Sequence, residues 1–302
     1  MAPRAAVVLI FWLVTLMSSP IARADSSGPE LASYYERHMA LLDGVAYGWF
    51  GRGAPQRMRD TVVQVGVSQD AYFALLKDGS LLTWSEAPAQ AALLMQGVAS
   101  FAAGRSGWFA IDRAQVLWYG RAAGVAVRRV AADVVAASIG DSADYYVTRD
   151  GTLYVKGLAH RGQYGDGRLA ATSEFMATAH DAVAVKAHTG HALYLRRDGG
   201  VMGTGGNRFG PLSSHGLGDK ADSWGRIFDA AVTIATGSRH SAAIHADGSL
   251  WVWGEGFGVQ PKKLLGNVTA VAAGDTATIA LTGDGALWQW DGAAGPRRLV
   301  PR

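Results

Sequence analysis

His188 and His191 stand three residues apart, as an HxxH pair that could hold a metal ion. Zinc chemistry of that kind needs both imidazoles on one helix face, and the surrounding residues read as strand and turn, which does not align them. Asp141 and Asp144 are close enough in sequence to share acid/base work, yet their spacing specifies none. The glycines of GTGGNRFG lie in a loop rather than between a strand and a helix, so a phosphate-cradling loop is not expected. No G-x-S-x-G elbow occurs. With no cysteine in the chain, thiol catalysis, Cys-ligated zinc and a lipoprotein anchor are excluded. The residues therefore name no cofactor, no metal and no catalytic set, and the expectation is a binding protein rather than an enzyme.

The elements that would position any site come from a repeat. A small-residue turn, a short apolar strand, Asp-Gly, then alternating large apolar residues recur along the chain. Asp247-Gly248 leads to Trp251 and Trp253, and Asp284-Gly285 leads to Trp288 and Trp290. The same frame fits Asp43-Gly44 with Tyr47 and Trp49, Asp78-Gly79 with Leu82 and Trp84, Asp150-Gly151 with Tyr154, and Asp198-Gly199 with Met202. A degenerate copy puts Arg113-Ala114 in the Asp-Gly slot and keeps Leu117, Tyr119 and Gly120 in register. The anchors fall at 43, 78, 113, 150, 198, 247 and 284. Asp-Gly supplies the positive φ of a tight hairpin turn, and the alternation that follows gives a strand bulky on both faces. Strand-rich units of about 40 residues with one aromatic motif predict an all-β, seven-bladed propeller of four-stranded antiparallel blades.

The repeat also carries a tail, as Gly157-Leu158-Ala159-His160-Arg161-Gly162-Gln163-Tyr164-Gly165 in the fourth copy and Gly205-Gly206-Asn207-Arg208-Phe209-Gly210-Pro211-Leu212 in the fifth. The pattern VxxVAAGxxHSLALxxDGxVWxWG followed by GxNxxGQLG resembles the repeat of the regulator of chromosome condensation family. That resemblance covers the chain from about Leu31 to its end. It implies the propeller fold, and it gives His191 and His240 a structural hydrogen-bonding slot. Nuclear members resemble exchange factors for a small GTPase; exported bacterial members resemble propellers that inhibit a secreted enzyme. Glu30 to Ser33 is the candidate inner strand of the first blade, and 295–300 an outer strand of the last.

The N-terminus separates those two roles. Arg4, an apolar run over 5–17 broken only by Thr15, and Ala22-Arg23-Ala24 read as an export signal cleaved after Ala24. The run is too short to span a membrane, which takes about 20 residues. Signal removal takes Arg4 and Arg23 from a chain of net charge +3, leaving residues 25–302 as one propeller domain of charge +1. No concentrated basic stripe marks a nucleic-acid partner.

Antiparallel blades put the loops between the first and second strands (AB) and between the third and fourth (CD) on one face. The two longest copies carry their extra residues after the third strand, at 158–173 and 207–223, hence on that face. The AB loops vary while the strands keep their template, as a protein-recognition surface does. Candidate partner-binding residues are Tyr35, Arg105, Trp108, Asp141 and His191, with Arg239 and His240 from later AB loops and Tyr164, Phe209 and Trp224 from loops near that face. The expected protein is periplasmic or secreted and monomeric. Its expected partner is a protein, such as a secreted enzyme or toxin, and it would act as an inhibitor or immunity protein. The alternative is a periplasmic carbohydrate- or peptidoglycan-binding or -processing propeller.

Overall fold

The computed structural model describes residues 30–215, 218–292 and 295–301; the expected export signal and its cleavage point lie outside them. The chain winds into seven four-stranded antiparallel sheets, each made of consecutive strands. Blade 1 comprises β1 (Glu30–Tyr34), β2 (Arg37–Leu42), β3 (Val45–Phe50) and β4 (Gln56–Arg59); blade 2 comprises β5 (Val62–Val67), β6 (Tyr72–Leu76), β7 (Leu81–Trp84) and β8 (Ala92–Met95). Blade 3 is β9 (Val98–Gly104), β10 (Gly107–Asp112), β11 (Leu117–Gly120) and β12 (Arg128–Ala131); blade 4 is β13 (Val134–Ile139), β14 (Ala143–Thr148), β15 (Leu153–Gly157) and β16 (Thr172–Ala179). Blade 5 holds β17 (Ala182–Ala187), β18 (His191–Arg196), β19 (Val201–Gly206) and β20 (Lys220–Phe228). Blade 6 holds β21 (Ala231–Thr236), β22 (His240–His245), β23 (Leu250–Gly254) and β24 (Gly258–Leu265). Blade 7 holds β25 (Val268–Ala273), β26 (Ala277–Thr282), β27 (Leu287–Asp291) and β28 (Arg297–Leu299).

The turn aspartates explain why the hairpins form where they do. Asp78, Asp150, Asp198 and Asp247 each accept the backbone N–H two residues on, at 2.8–3.0 Å, closing the turn before glycine takes its positive φ. The glycine carbonyl then receives the N–H that opens the next blade: Val98 bonds Gly79 at 3.0 Å and Val268 bonds Gly248 at 2.8 Å. One dipeptide thus shapes a hairpin and sets the spacing between blades.

Blade 3 corrects the reading of the degenerate copy. Ile111 pairs with Leu117, so the Asp-Gly slot is Ala114-Gln115, one residue later than Arg113-Ala114. Gln115 adopts φ 61° where glycine stands elsewhere and passes its carbonyl to Val134. Asp112 replaces the missing turn aspartate by accepting the N–H groups of Ala114 and Val116.

The free edges of inner strands are met by side chains from the preceding blade, which satisfies backbone groups facing the axis. Glu30 Oε2 accepts the Val65 N–H at 3.0 Å. Gln64 pairs with both the carbonyl and the N–H of Phe101 at 3.0 Å, and Ser138 Oγ accepts the Ala187 N–H. Ring closure needs no shared blade. β1 is the inner strand of the first blade, β28 the outer strand of the last, and blades 7 and 1 join face to face. Asp275 donates its N–H to the Tyr35 carbonyl at 3.2 Å, as Ser238 does to Gly274 between blades 6 and 7. Leu31, Ala40 and Trp49 pack with Ile279, Leu281, Leu287 and Leu299, and Trp49 Nε1 donates to Gln289 Oε1 at 3.2 Å.

Candidate functional site

The AB and CD loops share one face, and both long excursions emerge there. At its centre a cluster crosses the channel. Tyr34 and Tyr35, from blade 1, donate their hydroxyls to the two oxygens of Asp141 from blade 4, Tyr35 at 3.0 Å. The Tyr34 ring stacks on His188 of blade 5 with centroids 4.6 Å apart. Tyr35 reaches this position from a left-handed backbone, φ 48°. Burial and the bonds to Asp141 push the Tyr34 phenol above its ordinary range. Burial likewise holds His188 neutral, against the opposing pull of Asp141 and Asp275. Among the described residues no three His, Cys, Asp or Glu side chains converge as a metal set.

The excursions are inter-blade clasps. Tyr164 is fully buried, and its hydroxyl bonds the Gly157 carbonyl and the Thr172 N–H. Asn207 folds its own loop by bonding Leu212 N–H and the His215 carbonyl. The loop then grips blade 6, because the Pro211 carbonyl accepts from Ser241 Oγ and Trp253 Nε1 at 2.9 and 2.7 Å. Trp224 lies beneath Gly165, edge-on to Tyr194 at 4.8 Å, and donates to Thr178 Oγ1.

Four candidate partner-binding residues are corrected by this packing. Trp108, Tyr164, His191 and His240 are at most 3% exposed, so none presents a surface to a partner. His191 Nε2 shares a hydrogen bond with Ser241 Oγ at 3.0 Å and His240 Nε2 with Thr278 Oγ1 at 2.9 Å, each fastening a blade to the next. Trp108 fills the space left by Gly120 across the sheet pair. A Cβ at Gly120 would overlap its ring, so Gly120→Ala should cost about 2–3 kcal/mol in urea unfolding. A loss under about 0.5 kcal/mol would mean the ring moves freely.

Phe209 and Arg239 lie on the surface with Arg105, while Tyr35 and Asp141 are partly covered at the channel mouth. The Arg239 guanidinium covers the Phe209 ring at 4.7 Å and is held by Glu255 at 3.1 Å; Arg208 approaches the same ring at 5.7 Å. Elsewhere on this face stand apolar side chains that the repeat template did not single out: Phe50, Val125, Leu158, Leu169 and Val259, 44–59% exposed. All five lie in or beside CD loops. Phe50 had a signal, since it follows Trp49 at the strand end and alternation points it away from the blade core. The loop residues had none, because no template position fixes where they point.

A family model described as the regulator of chromosome condensation repeat matches residues 231–257, which are β21 to β23 with the following turn. Among curated proteins no sequence match is found. Solved structures are similar at low identity. Prp20p from Saccharomyces cerevisiae aligns with a TM-score of 0.68 and 16% identity over 85% of this chain and 82% of its own. Human WBSCR16 aligns at 0.56 and 18%, over 90% and 81%. The CRINKLY ectodomain of an Arabidopsis thaliana receptor kinase aligns at 0.57 and 13%, over 90% and 97%. The chain is a seven-bladed propeller that carries the regulator of chromosome condensation repeat.

Proposed function

We propose that this is an exported propeller that binds another protein through its AB/CD face and does not itself catalyse a reaction. One observation carries the reading. Of the nine large apolar side chains that stand exposed among the described residues, six (Phe50, Val125, Leu158, Leu169, Phe209 and Val259) lie in or beside CD loops on that face. Exposed apolar groups gathered on one face and rimmed by arginines suit a protein interface. The export signal read in the sequence supports an envelope or secreted site of action. A rigid face that plugs an enzyme's cleft is the form an inhibitor or immunity protein would take. Prp20p is described by its binding to Gsp1p and histones, a precedent for protein partners on this architecture.

Asp141 and His188 meeting at the channel mouth favour the second reading, a glycan-binding or glycan-processing protein. Both oxygens of Asp141 are occupied by tyrosine hydroxyls and His188 is covered by Tyr34, which weighs toward a structural plug. Affinity capture from an envelope extract tests the leading reading. Phe209→Ala with Arg239→Ala should weaken the captured complex by at least about tenfold, as loss of a central aromatic and arginine does. Val232→Ala on the opposite face should leave it unchanged. Equal capture by all three proteins would sink the assignment of the face.

A further inference from the structure

On the same face, blades 3 and 4 are separated by a cleft of about 390 Å³ whose walls include Tyr119, Arg121, Val125, Arg128 and Lys156. Its cations are placed rather than scattered. The Arg128 guanidinium and the Lys156 ammonium approach the Tyr119 ring at 5.0 and 5.6 Å, and Lys156 also faces Phe175 at 4.8 Å. Tyr119 is itself anchored by its hydroxyl, which donates to the Ser106 carbonyl at 2.7 Å. Two carboxylates answer the three cations: Asp144 lies 3.8 Å from Lys156, with both side chains largely covered, and Glu174 also acts on the Lys156 charge. Burial lowers the affinity of Lys156 for its proton, and Arg128 lowers it further. The cleft therefore holds more positive charge than its own residues balance.

We propose that this cleft is an oxyanion site that receives an acidic side chain of the protein partner. The inference rests on the protein-binding reading and names the chemistry that the partner brings. A carboxylate seated between Arg121, Arg128 and Lys156 forms charge-assisted hydrogen bonds in a partly desolvated cleft, where they are stronger than on open surface. Val125 at the rim provides an apolar contact for the stem of that side chain. Asp144 is the internal competitor, since it already satisfies part of the Lys156 charge.

The test uses the folded protein and three probes: an N-acetylated triglutamate amide, inorganic phosphate, and a trilysine amide as control. Calorimetric titration at low salt should show saturable binding of the triglutamate peptide and none of trilysine. Arg128→Ala and Lys156→Met should each weaken it by about tenfold or more. Asp144→Asn should tighten it, a gain that a purely structural role for these residues does not produce. Val232→Ala, on the opposite face, should leave the peptide affinity unchanged, and because the titration needs no protein partner, failure of the larger face and failure of this site are read separately. Phosphate binding more tightly than the peptide would overturn the side-chain assignment in favour of a free anion. Absence of binding by both anions, or binding untouched by Arg128→Ala and Lys156→Met, would overturn the site.

Discussion

Acidification from pH 7 to pH 4 is expected to unfold the protein. His38, His188, His191 and His240 are at most 4% exposed, and burial depresses the pKa of each from 6.5, to about 3 for His38 and His191 and about 4 for His240. A depressed base is neutral in the folded state while the unfolded chain takes up its proton. Its contribution is whole above pH 6.5 and is lost as the pH falls toward the folded value. The loss is about 1.4 kcal/mol per pH unit for each histidine, hence about 8 kcal/mol for four at pH 5. A domain of this kind has about 5–15 kcal/mol in all.

Two carboxyls act with the opposite sign. Burial raises Glu30 to about 7 and Asp144 to about 6, so Glu30 favours the folded state as the pH falls to 4.5 and Asp144 as it falls to 3.8, and neither gains below its own limit. The histidines outnumber them and continue to act. Tryptophan fluorescence followed from pH 8 to pH 3 should therefore show cooperative unfolding between about pH 4 and 5. His240→Gln should move the midpoint down. A fold intact at pH 3 would show that the imidazoles become protonated in place.

Trp253→Ala is expected to be the most damaging single replacement at a buried aromatic. The side chain is fully buried, its indole N–H donates to the Pro211 carbonyl at 2.7 Å, and its ring stacks on Phe228 at 5.7 Å. It packs with Leu193, Leu212 and Ala243, joining blade 6 to the clasp from blade 5. Removing it leaves a cavity and takes from the Pro211 carbonyl one of its two donors, Ser241 Oγ remaining, for about 4–5 kcal/mol. Trp253→Phe keeps most of the volume and should lose only about 1–2 kcal/mol, which isolates the hydrogen bond. Trp251, its partly exposed neighbour in the strand, should tolerate alanine far better. Urea unfolding of the three variants gives the values, and a loss under about 2 kcal/mol for Trp253→Ala would show that the clasp contributes little.

The blades were legible because one physical rule repeats. Asp caps the turn, Gly takes the positive φ, and alternation does the rest. The same rule misplaced the third copy by one residue, since Asp112 caps from an earlier position and Gln115 supplies the left-handed turn without a glycine to mark it. Side-chain destinations outside the strands were harder. Trp108 follows Arg105-Ser106-Gly107 and reads as loop, yet β10 already begins at Gly107 and turns the indole inward. Tyr164 carried a usable signal: it stands where the GQLG tail has leucine, a core position that Leu212 fills in the next blade. The cluster of Tyr34, Tyr35, Asp141 and His188 joins residues more than 100 positions apart, and no local pattern announces a contact made across a ring. The clasp role of the excursions was hidden for the same reason, because their partners belong to the following blade.

Hydrogen exchange on the captured complex puts the placement of the interface to its most direct trial. Amides of the CD loops at 121–127, 158–171 and 207–215, together with the turn that holds Arg239, should exchange more slowly with the partner bound. The Asp-Gly turns on the far side should exchange at their free rates. Slowing confined to those turns, with the CD loops unaffected, would place the partner on the wrong face and contradict the account.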